Sequence, residues 1–210
     1  MRETCQLSLD MIAWRKAHPQ PVRSKYMSVD PAPPFPKKEV KTIAQLEAIL
    51  LDTQRSMFDR YRAMFALRNR DSEEAVAALA KGFADGSALF KHEIAFVFGQ
   101  MQHKASIPAL RAALELEGEH AMVRHEAAEA LGSVSATHGC EEAALPTLQR
   151  FVAGEGGSAG AAPVQGARAK EDEVIVRESC EVALDIHEYW TDEHNFGGLD
   201  QFEGAAAAAQ

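Results

Sequence analysis

Two histidine–glutamate pairs stand 33 residues apart in matching surroundings, His92-Glu93 in KHEIAFVFG (91–99) and His125-Glu126 in RHEAAEALG (124–132). Imidazole nitrogen and carboxylate oxygen together suit a divalent first-row metal, iron among them. Neighbouring helix residues point about 100° apart, so a His and the Glu that follows it are not expected to chelate one ion together. In the simpler geometry His92 and His125, on adjacent parallel helices, share one ion. Glu93 or Glu126 then reaches toward a second. Two histidines and one carboxylate leave coordination positions open, the arrangement that activates oxygen at ferrous iron. Four ligands are too few for a complete two-metal site.

The pairs recur because the chain repeats. Four segments align without gaps: Arg60–Leu67, Lys91–Phe98, Arg124–Leu131 and Val176–Ala183. Their starts are 31, 33 and 52 residues apart, and removing the 19 residues of the Gly/Ala-rich stretch 154–172 restores 33. The outer two segments hold Tyr61-Arg62 and Arg177-Glu178 at the paired positions, so the unit does not require histidine. Between the segments lie further helical patterns at Glu73–Phe83, Ile107–Leu116 and Ala144–Val152, the last two with Pro108 and Pro146 near their starts. Pairs of helices at this period predict an all-α fold, an α-solenoid of HEAT-like helical-hairpin repeats.

The predicted organisation follows. Residues 41–190 form the repeat domain, with 154–172 as a flexible surface insert and 191–210 as a tail. Residues 16–40, rich in proline, form a linker or strap. Residues 1–15 read as the last helix of a preceding repeat, because RETCQL (2–7) matches RESCEV (177–182). The expectation is a truncated array whose preceding repeats lie outside this chain.

Net charge is −9. That disfavours phosphate-backbone binding, which needs a basic surface. Cys5, Cys140 and Cys180 are odd in number and far apart, which predicts reduced thiols and a cytoplasmic protein. No apolar run is long enough to span a membrane. No P-loop or HExxH occurs. His103, His120, His138, His187 and His194 lack matching partners and read as surface or loop residues, and His18 lies in the strap. Glu115, Glu117 and Glu119 read as a solvated face.

The strings SVDPAPPFP (28–36), RYRAMFALRN (60–69), GSALFKHEIAFVFGQMQH (86–103), MVRHEAAEALGS (122–133) and VRESCEVALDIHEY (176–189) together resemble the deoxyhypusine hydroxylase family. The resemblance implies a HEAT-repeat monooxygenase with a non-haem di-iron centre between two four-repeat halves. It implies use of dioxygen to hydroxylate deoxyhypusine on a translation factor, the last step of hypusine synthesis. Two Fe2+ serve the complete enzyme, and this chain carries the C-terminal half of their ligands. By the resemblance His92 and His125 bind one iron, and Glu93 reaches the iron held mainly by the other half. Glu126 is either a ligand or a group that holds the substrate amine. Glu93 and Glu126 are thus the expected catalytic residues. The alternative is a non-catalytic HEAT-repeat scaffold for protein interactions.

Overall fold

Hydroxyl side chains start four successive helices. Thr42, Ser56, Ser72 and Ser87 each accept a bond from the amide three residues on, and Thr42 closes a capping box with Gln45. The computed structural model describes residues 2–19, 25–26, 28–39, 42–156 and 167–192. Among these it contains α1 (Arg2–Ala17), α2 (Ile43–Leu51), α3 (Met57–Arg68), α4 (Glu73–Ala80), α5 (Ala88–Met101), α6 (Ile107–Glu115), α7 (Ala121–His138), α8 (Glu141–Val152) and α9 (Ala167–Thr191). Short 3-10 turns, Lys81–Ala84 and Lys104–Ser106, extend α4 and precede α6. No strand occurs among the described residues.

The helices form two layers. The inner helices α1, α3, α5, α7 and α9 pack in chain order, and α2, α4, α6 and α8 lie behind them. This is an α-solenoid of HEAT-like hairpins, as the repeat spacing predicts. Tyr61, Phe65, Phe90, Ile94, Phe98, Leu110 and Leu131 are fully buried between the layers. Gly132 lets α7 approach α9: a Cβ there would overlap the backbone carbonyl of Ala183. The helix α9 begins at Ala167, inside the stretch 154–172 that the sequence reading assigns to a loop. Residues 157–166 and the tail from 193 lie outside the described residues, as does His194.

Three successive positions of each inner helix do three jobs. The first is a cation, Arg60, Lys91 or Arg124. Arg60 and Arg124 donate through Nε to the carbonyls of Leu50 and Leu114 on the outer helices, at 2.8 and 2.9 Å. Arg60 also pairs with Asp85, and Lys91 with Glu119, each at 2.5 Å, tying down the loop before the next inner helix. Glu119 is therefore buried in an ion pair, contrary to the solvated face expected of it. Glu115 is also engaged, accepting from Arg150. The second position, Tyr61, His92 or His125, reaches the next inner helix: Tyr61 donates its hydroxyl to the carbonyl of Leu89 on α5. The third position, Arg62, Glu93 or Glu126, lies about 200° from the first and so points away from the outer layer.

Residues 28–36 run antiparallel along α3 as a strap. Arg68, fully buried, donates to both oxygens of Asp30 at 2.8 and 2.7 Å. Arg62 donates to the carbonyl of Pro33 at 3.2 Å and lies over the Phe35 ring. A buried guanidinium needs such a partner, because an isolated charge there costs several kcal/mol, on the order of 3–5.

Candidate metal centre

The phase of the repeat puts the two His-Glu pairs on neighbouring inner helices, α5 and α7. His92 Nε2 lies 3.0 Å from Glu126 Oε2. His125, Glu126 and Glu129 each present a ligand atom, all within 4.8 Å of one another. His125 Nε2 is 3.6 Å from Glu129 Oε1, one helical turn on. His125 and Glu126 therefore do come together, although their 100° separation argues against it. The long glutamate side chain makes up the angle. The group that could hold a metal ion is His125, Glu126 and Glu129, with His92 joined to it through Glu126. His92 and His125 are not paired directly in that group, and Glu93 stands beside it.

The tautomer of His125 follows from its neighbours. Ser179 Oγ donates its hydrogen to the carbonyl of Ile175 at 2.7 Å. Its lone pair must therefore accept from His125 Nδ1–H, 2.8 Å away. Nε2 is then the ring nitrogen left to face the Glu129 carboxylate, 3.6 Å away, as a donor or as a metal ligand. His92 tells a related story: its Nδ1 is buried with no hydrogen-bond partner. Two imidazoles and three neighbouring carboxylates match the nitrogen and oxygen donor set of ferrous iron, so the residues fit that ion.

Electrostatics agree with a site built for positive charge. Burial pulls the His92 imidazole down, but the bond to Glu126 and the fields of Glu93 and Glu129 outweigh it and hold its pKa above the ordinary value. Burial pushes the Glu93 carboxyl up to about 7, helped by Glu126 and Asp30 and opposed by His92 and Arg68. A carboxylate crowded and desolvated as Glu93 is favours either a proton or a neighbouring cation.

The other histidines have local tasks. His103 and His120 accept backbone amides at the starts of a 3-10 turn and of α7. His187 donates through Nδ1 to Ser135, whose hydroxyl donates to Gly132. His18 stacks on Trp14 and bonds its carbonyl. Sequence reasoning missed Glu129, Ser179 and the Arg68–Asp30 pair. The spacing His125-x-x-x-Glu129 would have revealed the first, because residues four apart share a helix face.

Fold and site together define a HEAT-like α-solenoid with a histidine and carboxylate cluster on its inner layer that could hold a metal ion. Residues 76–159 match the HEAT repeats family model, and residues 59–85 match the PBS lyase HEAT-like repeat. The chain is related to the deoxyhypusine hydroxylases. It is 50% identical over 188 residues to the Xenopus laevis enzyme, covering 89% of this chain and 54% of that one. It is 45% identical over 206 residues to the Homo sapiens enzyme, covering 97% and 60%. The solved structure of human deoxyhypusine hydroxylase in complex with glycerol superposes with a TM-score of 0.72 at 46% identity, over 89% of this chain and 57% of that one. The chain thus spans little more than half the length of the relatives it matches.

Proposed function

We propose that this chain supplies one half of a deoxyhypusine hydroxylase site, a monooxygenase that uses dioxygen to hydroxylate deoxyhypusine on a translation factor. The observation that carries the reading is the cluster of His125, Glu126, Glu129 and His92 on adjacent inner helices, in a chain so similar to those enzymes. Two Fe2+ would serve the complete site. His92 and His125 supply nitrogen ligands, and Glu126, with Glu129 beside it, supplies oxygen. Bound iron supplies the activation of dioxygen.

The chain's own residues do the rest. Ser179 holds the His125 ring so that Nε2 faces the ligand group. Glu126 stands within ligand distance of both histidines, which favours the ligand role over amine binding. Glu93, half-buried and beside this group, is free to receive the cationic end of the aminobutyl side chain. A carboxylate already crowded by like charges gains most from a cation, because the cation relieves repulsion as well as adding attraction. The reaction belongs in the cytoplasm, where thiols stay reduced, and this suits the three widely spaced cysteines Cys5, Cys140 and Cys180.

A chimera tests the reading. The stretch of the Xenopus enzyme that this chain matches is replaced by this chain, and the product is incubated with ferrous iron, dioxygen and a deoxyhypusine-bearing factor. Mass spectrometry should show the factor gaining one oxygen atom, and the same chimera with His92→Ala should give none. A folded chimera with no activity would overturn the assignment.

A further inference from the structure

The last inner helix carries a stripe that the metal centre does not use. Glu178 on α9 stands at the repeat position that Glu93 and Glu126 occupy on α5 and α7, and so points away from the outer layer. At about 100° per residue, Ile175, Val182 and Tyr189 lie about 60°, 40° and 20° to one side of it, and Asp185 lies about 20° to the other. The three apolar side chains are 44%, 46% and 53% exposed. Glu178 and Asp185 are exposed between them. From Ile175 to Tyr189 the stripe runs about 21 Å, at about 1.5 Å per residue.

A contact fixes the side to which the apolar residues lean. Ser179, about 100° round from Glu178 on that same side, bonds His125 Nδ1 at 2.8 Å. That side therefore faces α7 and its candidate ligands. Ser179 donates to the carbonyl of Ile175, one turn earlier, at 2.7 Å. Ile175 and Val182 thus stand one before and one after the residue that touches His125, between it and the inner face. Val176, Cys180 and Ala183, all buried, hold the rest of the helix in place. A surface ordered before binding loses little entropy when a partner arrives.

One apolar side chain on a surface needs no explanation, but a row of three beside a candidate active site marks a binding surface. The carboxylates say what it takes. A partner that covers the stripe must bring positive charge to Glu178 and Asp185, or bury both unpaired at a cost. The net charge of −9 favours the same kind of partner. A second copy laid on the stripe would set carboxylate against carboxylate.

We propose that the inner face of α9 seats the segment of the substrate protein next to the modified residue, a basic segment with apolar side chains. This rests on the functional reading above and adds to it where the protein, as distinct from its deoxyhypusine side chain, is held.

The test measures binding of the iron-loaded chain by titration calorimetry to two probes: the translation factor carrying deoxyhypusine, and the same factor with unmodified lysine. Wild type should bind both, the modified form more tightly. Glu178→Lys combined with Asp185→Lys should weaken both forms equally, by about tenfold at about 50 mM salt, and by much less near 1 M, where charges are screened within about 3 Å. Val182→Ser combined with Tyr189→Ser should also weaken both by about tenfold, at either salt concentration. Iron content and helical spectra should match wild type in both double variants. Wild-type affinity in both would overturn the proposal. So would a loss confined to the modified form, or a loss of iron, either of which would place the stripe in the side-chain pocket or the metal centre. A wild-type dimer that Val182→Ser and Tyr189→Ser dissociate, seen by gel filtration, would give the stripe to a second copy and overturn it too. A wild-type chain that binds neither form would instead overturn the functional reading itself.

Discussion

Replacing Glu93 by Gln removes one half-buried ionisable group without changing its shape. In the folded chain burial lifts this carboxyl from 4.5 to about 7. The folded state then holds a proton that the unfolded state has released between those values, so stability falls as pH rises through that window. The full displacement corresponds to about 3 kcal/mol at one pKa unit per about 1.4 kcal/mol. His92, whose pKa is also raised when folded, works in the same direction: its contribution is complete below its unfolded value and is lost as pH rises through the folded one. The assay is urea unfolding of EDTA-treated protein from pH 5 to pH 8. Wild type should lose roughly 2–3 kcal/mol across that range. Glu93→Gln should lose much less and should exceed wild type in stability at pH 8. Saturating ferrous iron should reverse the wild-type trend, because metal and protons compete for the same atoms. Parallel pH profiles for the two apo proteins would refute the assignment of Glu93 to a crowded, desolvated pocket.

Other perturbations probe separate links. Ser179→Ala leaves His125 Nδ1 without its acceptor and should weaken iron binding by about 10- to 100-fold, read by competition with a chelator. Asp30→Asn strands the buried Arg68 charge and should cost about 3 kcal/mol in urea unfolding at pH 7. Gly132→Ala forces α7 from α9 and should destabilise by about 1–3 kcal/mol. Burial pushes the Cys180 thiol up to about 12, against the pull of Arg124, so at pH 8 a disulfide reagent should label exposed Cys5 and leave Cys180 until the chain is unfolded.

The solenoid was legible because its period is written in the sequence. Arg60, Lys91 and Arg124 recur at 31 and 33 residues, and the structure shows why: each caps the preceding outer helix or ties the next loop. The His-Glu pairs were legible for the same reason, since repeat phase alone puts them on one side of neighbouring helices. What stayed hidden depends on side-chain reach. Glu129 joins the ligand group by lying one turn past His125, and Ser179 enters from a helix 54 residues away. The strap reads as a proline-rich linker, because the groups that fix it, Arg62 and Arg68, lie on α3 and leave no mark in its own sequence. The start of α9 inside the Gly/Ala-rich stretch was hidden because ARAKED (167–172) continues helical register while its composition resembles the loop before it.

Iron content addresses the central proposition most directly. The chain is reconstituted anaerobically with ferrous iron, freed of excess metal and measured by elemental analysis, beside His92→Ala, His125→Ala and Glu129→Gln. Wild type should retain iron, His125→Ala should lose most of it, and the other two should retain less than wild type. Equal iron in all four proteins, with unchanged helical spectra, would show that the histidines and carboxylates of α5 and α7 do not form a metal centre.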